Sequence, residues 1–121
     1  MSLVGRVGRA ALGVPFVWLG YEAAAEPGNR VASAAGIGLP NPELVVRLNG
    51  AAMVAGGAAL ILNVLPRAAA FGLIAALVPT TIAGHSYWKH DDPQMRTTQR
   101  IQALKNLGLA GGLLVVATGG A

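Results

Sequence analysis

From Ala68 through Tyr87 the chain carries no formal charge. That stretch matches the roughly 20 apolar residues an α-helix needs to cross about 30 Å of hydrocarbon. The full run extends from Pro66 to Trp88, and three others resemble it: about Leu3 to Ala25, Pro42 to Asn63, and Ile101 to Thr118. At 1.5 Å per residue the second of these reaches about 33 Å, enough to cross.

Composition agrees. Hydrophobic residues make up 54% of the 121-residue chain and charged residues only 12%, with a mean hydropathy of +0.55. Soluble domains average about 25% charged, so a soluble enzyme of ordinary surface is excluded. Seventeen glycines against 5% aromatics suit helices that approach closely in lipid. With no cysteine, the chain itself supplies no thiol redox chemistry, disulfide, thiolate zinc site or iron–sulfur ligation. The +4 net charge is scattered singly, so nucleic acid is not expected as a partner. Lipid headgroups are the expected neighbours of those charges.

The predicted fold is all-α: an integral membrane antiparallel four-helix bundle, one domain over 1–121, with spans about 3–25, 42–63, 66–88 and 101–118. The first run has the outline of a signal peptide, with Arg6 and Arg9 ahead and Ala23-Ala24-Ala25 behind. Recurrence of the pattern in the later runs identifies it as a span. A Gly, Pro and Asn-rich loop over 26–41 leaves room for a short interfacial helix at Val31 to Ile37. Asn41 stands as a cap ahead of Pro42. The short Asn63 to Arg67 connection makes spans two and three antiparallel neighbours, and a polar stretch from Lys89 to Arg100 separates span three from span four.

Both termini then share a side. Arg6, Arg9 and Arg67 lie there, against Arg30, Arg47, Lys89, Arg96, Arg100 and Lys105 on the other. The plain count places the loop side in the cytoplasm, whereas the Arg pair ahead of span one, followed by acids, places the termini there. Arg47 and Lys105 fall a turn or more inside their helices, so the termini are expected to be cytoplasmic.

Few residues could carry chemistry. Thr81, His85 and Trp88 recur at i, i+4 and i+7 on one face of span three, and Pro79 frees the carbonyl of Ala75. One reading makes His85 a proton carrier or a partner for a quinone-like ring, with Trp88 stacked beside it. The other makes Tyr87 and Trp88 an interfacial aromatic belt. Gln99, Gln102 and Asn106 share a face of span four with Lys105 alongside, and Glu43 and Arg47 share one on span two, from which Asn49 points away. Charges at bilayer depth cost roughly 2.5 to 3.5 kcal/mol and turn toward partners. Glu22, Arg47, Lys105 and Asn106 therefore form one polar cluster, or Arg47 pairs locally with Glu43 while Lys105 snorkels. His85 and His90 beside Asp91 and Asp92 offer adventitious metal binding, and no metal site is expected. Gly108 with Gly112, and Ala52 with Gly56 and Gly57, are predicted packing strips.

Several motifs run through the four spans: Gly5-Arg6, Gly56-Gly57, Pro66-Arg67-Ala68-Ala69, Pro79-Thr80-Thr81 with Gly84-His85, and Gln102 before Lys105-Asn106-Leu107 and Gly111-Gly112-Leu113-Leu114. Together they resemble the DoxX family of small four-helix membrane proteins over nearly the whole chain. The resemblance implies a multi-pass bundle in a bacterial inner membrane, linked to redox functions. One relative is the small subunit of a thiosulfate:quinone oxidoreductase, and mycobacterial members sit in a membrane complex with a sulfurtransferase and a superoxide dismutase. Other DoxX-like proteins are cargo receptors or chaperones without catalysis. Many members carry a Glu three residues before the Gly-Gly of span two, where this chain has Met53. A proton or quinone role through that position therefore does not carry over.

The expected function is a non-catalytic membrane subunit that anchors or organises a redox or stress-defence complex, with redox enzymes or further copies of itself as partners. One alternative is a quinone-binding subunit using His85, Trp88, Arg47, Lys105 and Asn106, with quinone as cofactor. Another is a small transporter or lipid-handling protein.

Overall fold

The computed structural model describes residues 2–84 and 91–119. The described residues form five α-helices and no strand: α1 (Leu3–Ala25), α2 (Arg30–Gly36), α3 (Pro42–Leu62), α4 (Pro66–Gly84) and α5 (Pro93–Ala117). The first three spans thus begin where the apolar runs begin. α5 departs from expectation, starting at Pro93 rather than Ile101. The polar residues from Gln94 to Arg100 are helical because Asp92 caps the end, its side chain accepting from the Gln94 N–H, and Pro93 occupies a first-turn position that needs no donor. α2 lies one residue ahead of the expected Val31 to Ile37. Asn41 does precede α3, but its side chain makes no capping bond: it is left-handed at φ 47, and its carbonyl accepts from Val45 N–H. Asparagine tolerates that conformation better than most residues.

Two helices, α3 and α4, are long and apolar enough to cross a membrane. α1 and α5 are as long, but Arg6, Arg9 and Glu22 in α1 and the polar first half of α5 dilute their hydropathy. Their outer faces are nevertheless apolar: Val7, Val14, Trp18 and Tyr21 follow one stripe of α1, and Ile101, Leu104, Leu107 and Leu114 one side of α5.

α1 packs most extensively on α3, which contacts α4, which contacts α5. α1 buries Gly13, Phe16, Gly20 and Ala23, a helical stripe at i, i+3, i+7 and i+10. α3 answers with Val46, Gly50, Met53, Gly57 and Leu60. Gly13 meets Gly57 and Gly20 meets Gly50, so the two helices run in opposite directions. A methyl group on Gly13 would sit 2.5 Å from the Gly57 carbonyl oxygen, and one on Gly57 2.7 Å from that of Gly13. The second pair is as tight, 2.6 Å in both directions. The backbones touch, with no side chain between them.

On its other side α3 receives Leu73 of α4 against Gly56. Phe16, Leu60, Leu73 and Leu113 fill the common core with at most 2% exposure. The strip predicted at Gly108 and Gly112 divides: a methyl group on Gly112 would meet Leu12 of α1 at 3.7 Å, while Gly108 faces open space. A smaller cluster joins Ala34 of α2 to Ala23 and Val46, holding α2 across the loop end of the α1–α3 pair.

Gly57→Leu forces backbones apart and should destabilise the protein by about 3 kcal/mol or more, seen as a lower unfolding midpoint in detergent. Gly108→Leu, on a face with no neighbour, should leave that midpoint within about 0.5 kcal/mol.

Candidate functional site

Polar side chains inside apolar helices are costly unless each finds a partner, so they mark where α3, α4 and α5 are joined. Asn49 lies on the buried stripe of α3, between Val46 and Met53. Its Nδ2 donates to Thr80 Oγ1 at 2.9 Å and to the Ala76 carbonyl at 3.3 Å, both on α4. Thr80 in turn donates to the same carbonyl at 2.8 Å. The next residue turns the other way: Thr81 donates to the Leu77 carbonyl at 2.8 Å and accepts from Asn106 Nδ2 of α5 at 3.0 Å. Asn106 is 7% exposed, the one buried polar side chain among the described residues. Two consecutive threonines after Pro79 thus fasten α4 to a different neighbour on each side, and each hydroxyl is satisfied by its own helix.

The charged residues are placed elsewhere. Arg47 reaches from α3 to the end of α1, donating from Nη1 to the carbonyls of Ala24 at 2.7 Å and Ala25 at 3.4 Å. Glu43, one turn back, holds the guanidinium through Nε at 3.3 Å and Nη2 at 3.1 Å. Those carbonyls have no donor within α1, and a cation there also meets the negative end of the helix dipole. Glu22 accepts from Trp18 Nε1 at 3.1 Å and lies 3.8 Å from Arg30 Nη2. Lys105 is exposed. Glu22, Arg47, Lys105 and Asn106 therefore do not gather into one cluster: Arg47 takes the local pairing with Glu43, and Asn106 goes to Thr81. His85 and Trp88 lie outside the described residues. Beside Arg47 a shallow open groove between α2 and α3 is lined by Val31, Asn41, Pro42, Glu43 and Leu44.

The sequence reading missed both interhelical bonds, although their signal was present. Asn49 is three residues from Val46 and four from Met53, which sets it on the packed face of α3. Gly13 with Gly20 and Gly50 with Gly57 repeat at i, i+7 on two helices, a matched pattern rather than a single strip.

A double-mutant cycle of Asn49→Leu and Thr80→Val should give a coupling of about 0.6 to 1.7 kcal/mol, the range of interhelical hydrogen bonds in membranes. The cycle pairing Asn49→Leu with Thr81→Val, whose partners differ, should give a coupling near zero.

Neither a curated protein nor a solved structure matches the chain. The family model of DoxX does match, over residues 6–86, from the first arginine of α1 through the glycine-paired α1–α3 crossing and the two threonines of α4. That interval is two thirds of the sequence, and the chain belongs to the DoxX family.

Proposed function

We propose that the protein is a non-catalytic integral membrane subunit, a four-helix antiparallel bundle that anchors or organises a redox or stress-defence complex. The observation that carries this reading is how the inward polar groups are used. Asn49, Thr80, Asn106 and Thr81 bond across helices and to backbone carbonyls, and Arg47 closes the end of α1. Their hydrogen bonds hold helices together instead of converging on a ligand. The outward stripes of α1 and α5 are apolar like those of α3 and α4, which supports four spans although two pass on hydropathy alone. Apolar surface of that extent has no place on a water-exposed monomer. Family membership supports the membrane setting, and we place the protein in a bacterial inner membrane with both termini cytoplasmic.

A second reading, a quinone-binding subunit, draws support from the Asn106–Thr81 bond. It ties α5 to α4 at Thr81, beside Lys105, and His85 and Trp88 follow Thr81 in the sequence by four and seven residues.

Affinity purification from native membranes in mild detergent, with mass spectrometry of proteins and extracted lipids, separates the two. The expected result is a stoichiometric soluble redox enzyme with no bound quinone, and complex activity unaffected by His85→Ala. Quinone near one per chain, lost in His85→Ala, overturns the anchoring reading in favour of the second.

A further inference from the structure

All five acidic side chains of the chain, Glu22, Glu26, Glu43, Asp91 and Asp92, stand at one end of the helices. Glu22 and Glu26 lie at the end of α1, Glu43 opens α3, and Asp91 and Asp92 precede α5. Two basic residues there pair with them, Arg30 with Glu22 and Arg47 with Glu43, and Arg96, Arg100 and Lys105 share that end with the remaining acids. The opposite end holds Arg6, Arg9 and Arg67 and no acidic side chain at all.

The structure gathers those three arginines onto one face. Arg9 Nη1 donates to Asn63 Oδ1 at 3.2 Å, joining the start of α1 to the end of α3. Four residues on, the Arg67 guanidinium lies against Gly119, just past α5. Arg6 is one turn before Arg9 on α1. The same face presents apolar side chains outward, with Val4 81% and Leu65 74% exposed and Leu3, Leu62 and Val64 more than half exposed. At Leu65, φ is +44, a costly conformation for a γ-branched residue. Arginines without acidic side chains beside them, interleaved with exposed aliphatic side chains, fit the boundary between anionic headgroups and acyl chains, where guanidinium groups meet phosphate and side chains enter hydrocarbon.

We propose that this terminal face binds anionic phospholipid, with Arg6, Arg9 and Arg67 on the headgroup phosphates and Val4, Val64 and Leu65 among the upper acyl carbons. The proposal rests on the membrane reading above. It goes beyond it by assigning a ligand class and a leaflet: the terminal side faces the lipid layer richer in negative charge.

The test reconstitutes the full chain into phosphatidylcholine vesicles and compares the protein-bound fraction of spin-labelled phosphatidylglycerol with that of spin-labelled phosphatidylcholine. A basic residue at a headgroup favours the anionic lipid about fivefold, so the wild-type ratio should lie well above one and fall with added salt. The Arg6→Gln/Arg9→Gln/Arg67→Gln variant should bring the ratio to about one. Arg96→Gln/Arg100→Gln, at the acid-bearing end, should leave it unchanged. Should the glutamine triple lose its helical circular dichroism, the Arg6→Gln variant decides: Arg6 is exposed, and its loss should lower the ratio part of the way towards one, an unchanged ratio overturning the proposal. A wild-type ratio near one, or a loss equal in the Arg96/Arg100 variant, overturns the proposal. So does an acidic protein that binds through these arginines while the ratio stays near one. Failure to resist alkaline extraction from the vesicles would instead count against the membrane reading itself.

Discussion

The contact on which the other placements depend is the glycine-to-glycine crossing of α1 and α3. In lipid there is no hydrophobic drive to press one apolar helix on another, so association rests on close packing and on polar contacts. Gly13 on Gly57 and Gly20 on Gly50 bring backbone carbonyls within reach of the facing Cα atoms, where dispersion and weak Cα–H···O contacts are strongest. Two contacts seven residues apart on each helix also fix register and direction, because sliding by one residue sets a Cβ against a carbonyl. With α3 fixed against α1, its remaining faces are assigned: Gly56 to Leu73 of α4, and Asn49 to Thr80.

The side of α3 turned to α4 adds polar contacts to its packing. An amide in hydrocarbon has few competitors for its hydrogen bonds, so Asn49 specifies the neighbour it pairs with more sharply than any aliphatic contact could. Thr80 and Thr81 extend this. Being adjacent in sequence, they point about 100° apart around the helix, and each takes an asparagine from a different neighbour. Each also returns its proton to a carbonyl one turn back, so neither hydroxyl is left unsatisfied. A dipeptide next to Pro79 thereby sets where both α3 and α5 lie relative to α4.

The helices were largely legible in the sequence, because apolar length and turn chemistry are local properties. Pro42 and Pro66 begin α3 and α4, and Asn63 ends α3 in a left-handed conformation. The start of α5 was not legible from hydropathy, since a helix can continue beyond its apolar part wherever a cap such as Asp92 sustains it. Side-chain pairing was harder. The i, i+4 rule correctly joined Glu43 to Arg47 and set Asn49 apart from them. It could not show that Arg47 also spans to the last carbonyls of α1, because that depends on the Gly20–Gly50 contact bringing the two helix ends together. Candidate clusters inferred one helix at a time fail for the same reason: which residues meet is decided by crossings between helices, and those were carried by glycines.

The distribution of charge follows from the same arrangement. Antiparallel neighbours set the start of one helix beside the end of the next, so a residue near any terminus belongs to one of two ends. At the acid-bearing end, carboxylates and guanidinium groups pair within the protein, and α2 lies across them. At the other end the connection from Asn63 to Pro66 carries no charge, and Arg9 meets the Asn63 amide while Arg67 lies against Gly119. No acidic side chain of the sequence stands at that end to balance them. An arrangement with five acidic side chains at one end and none at the other is polarised along its axis, and the partner of the basic end has to be supplied by whatever surrounds it.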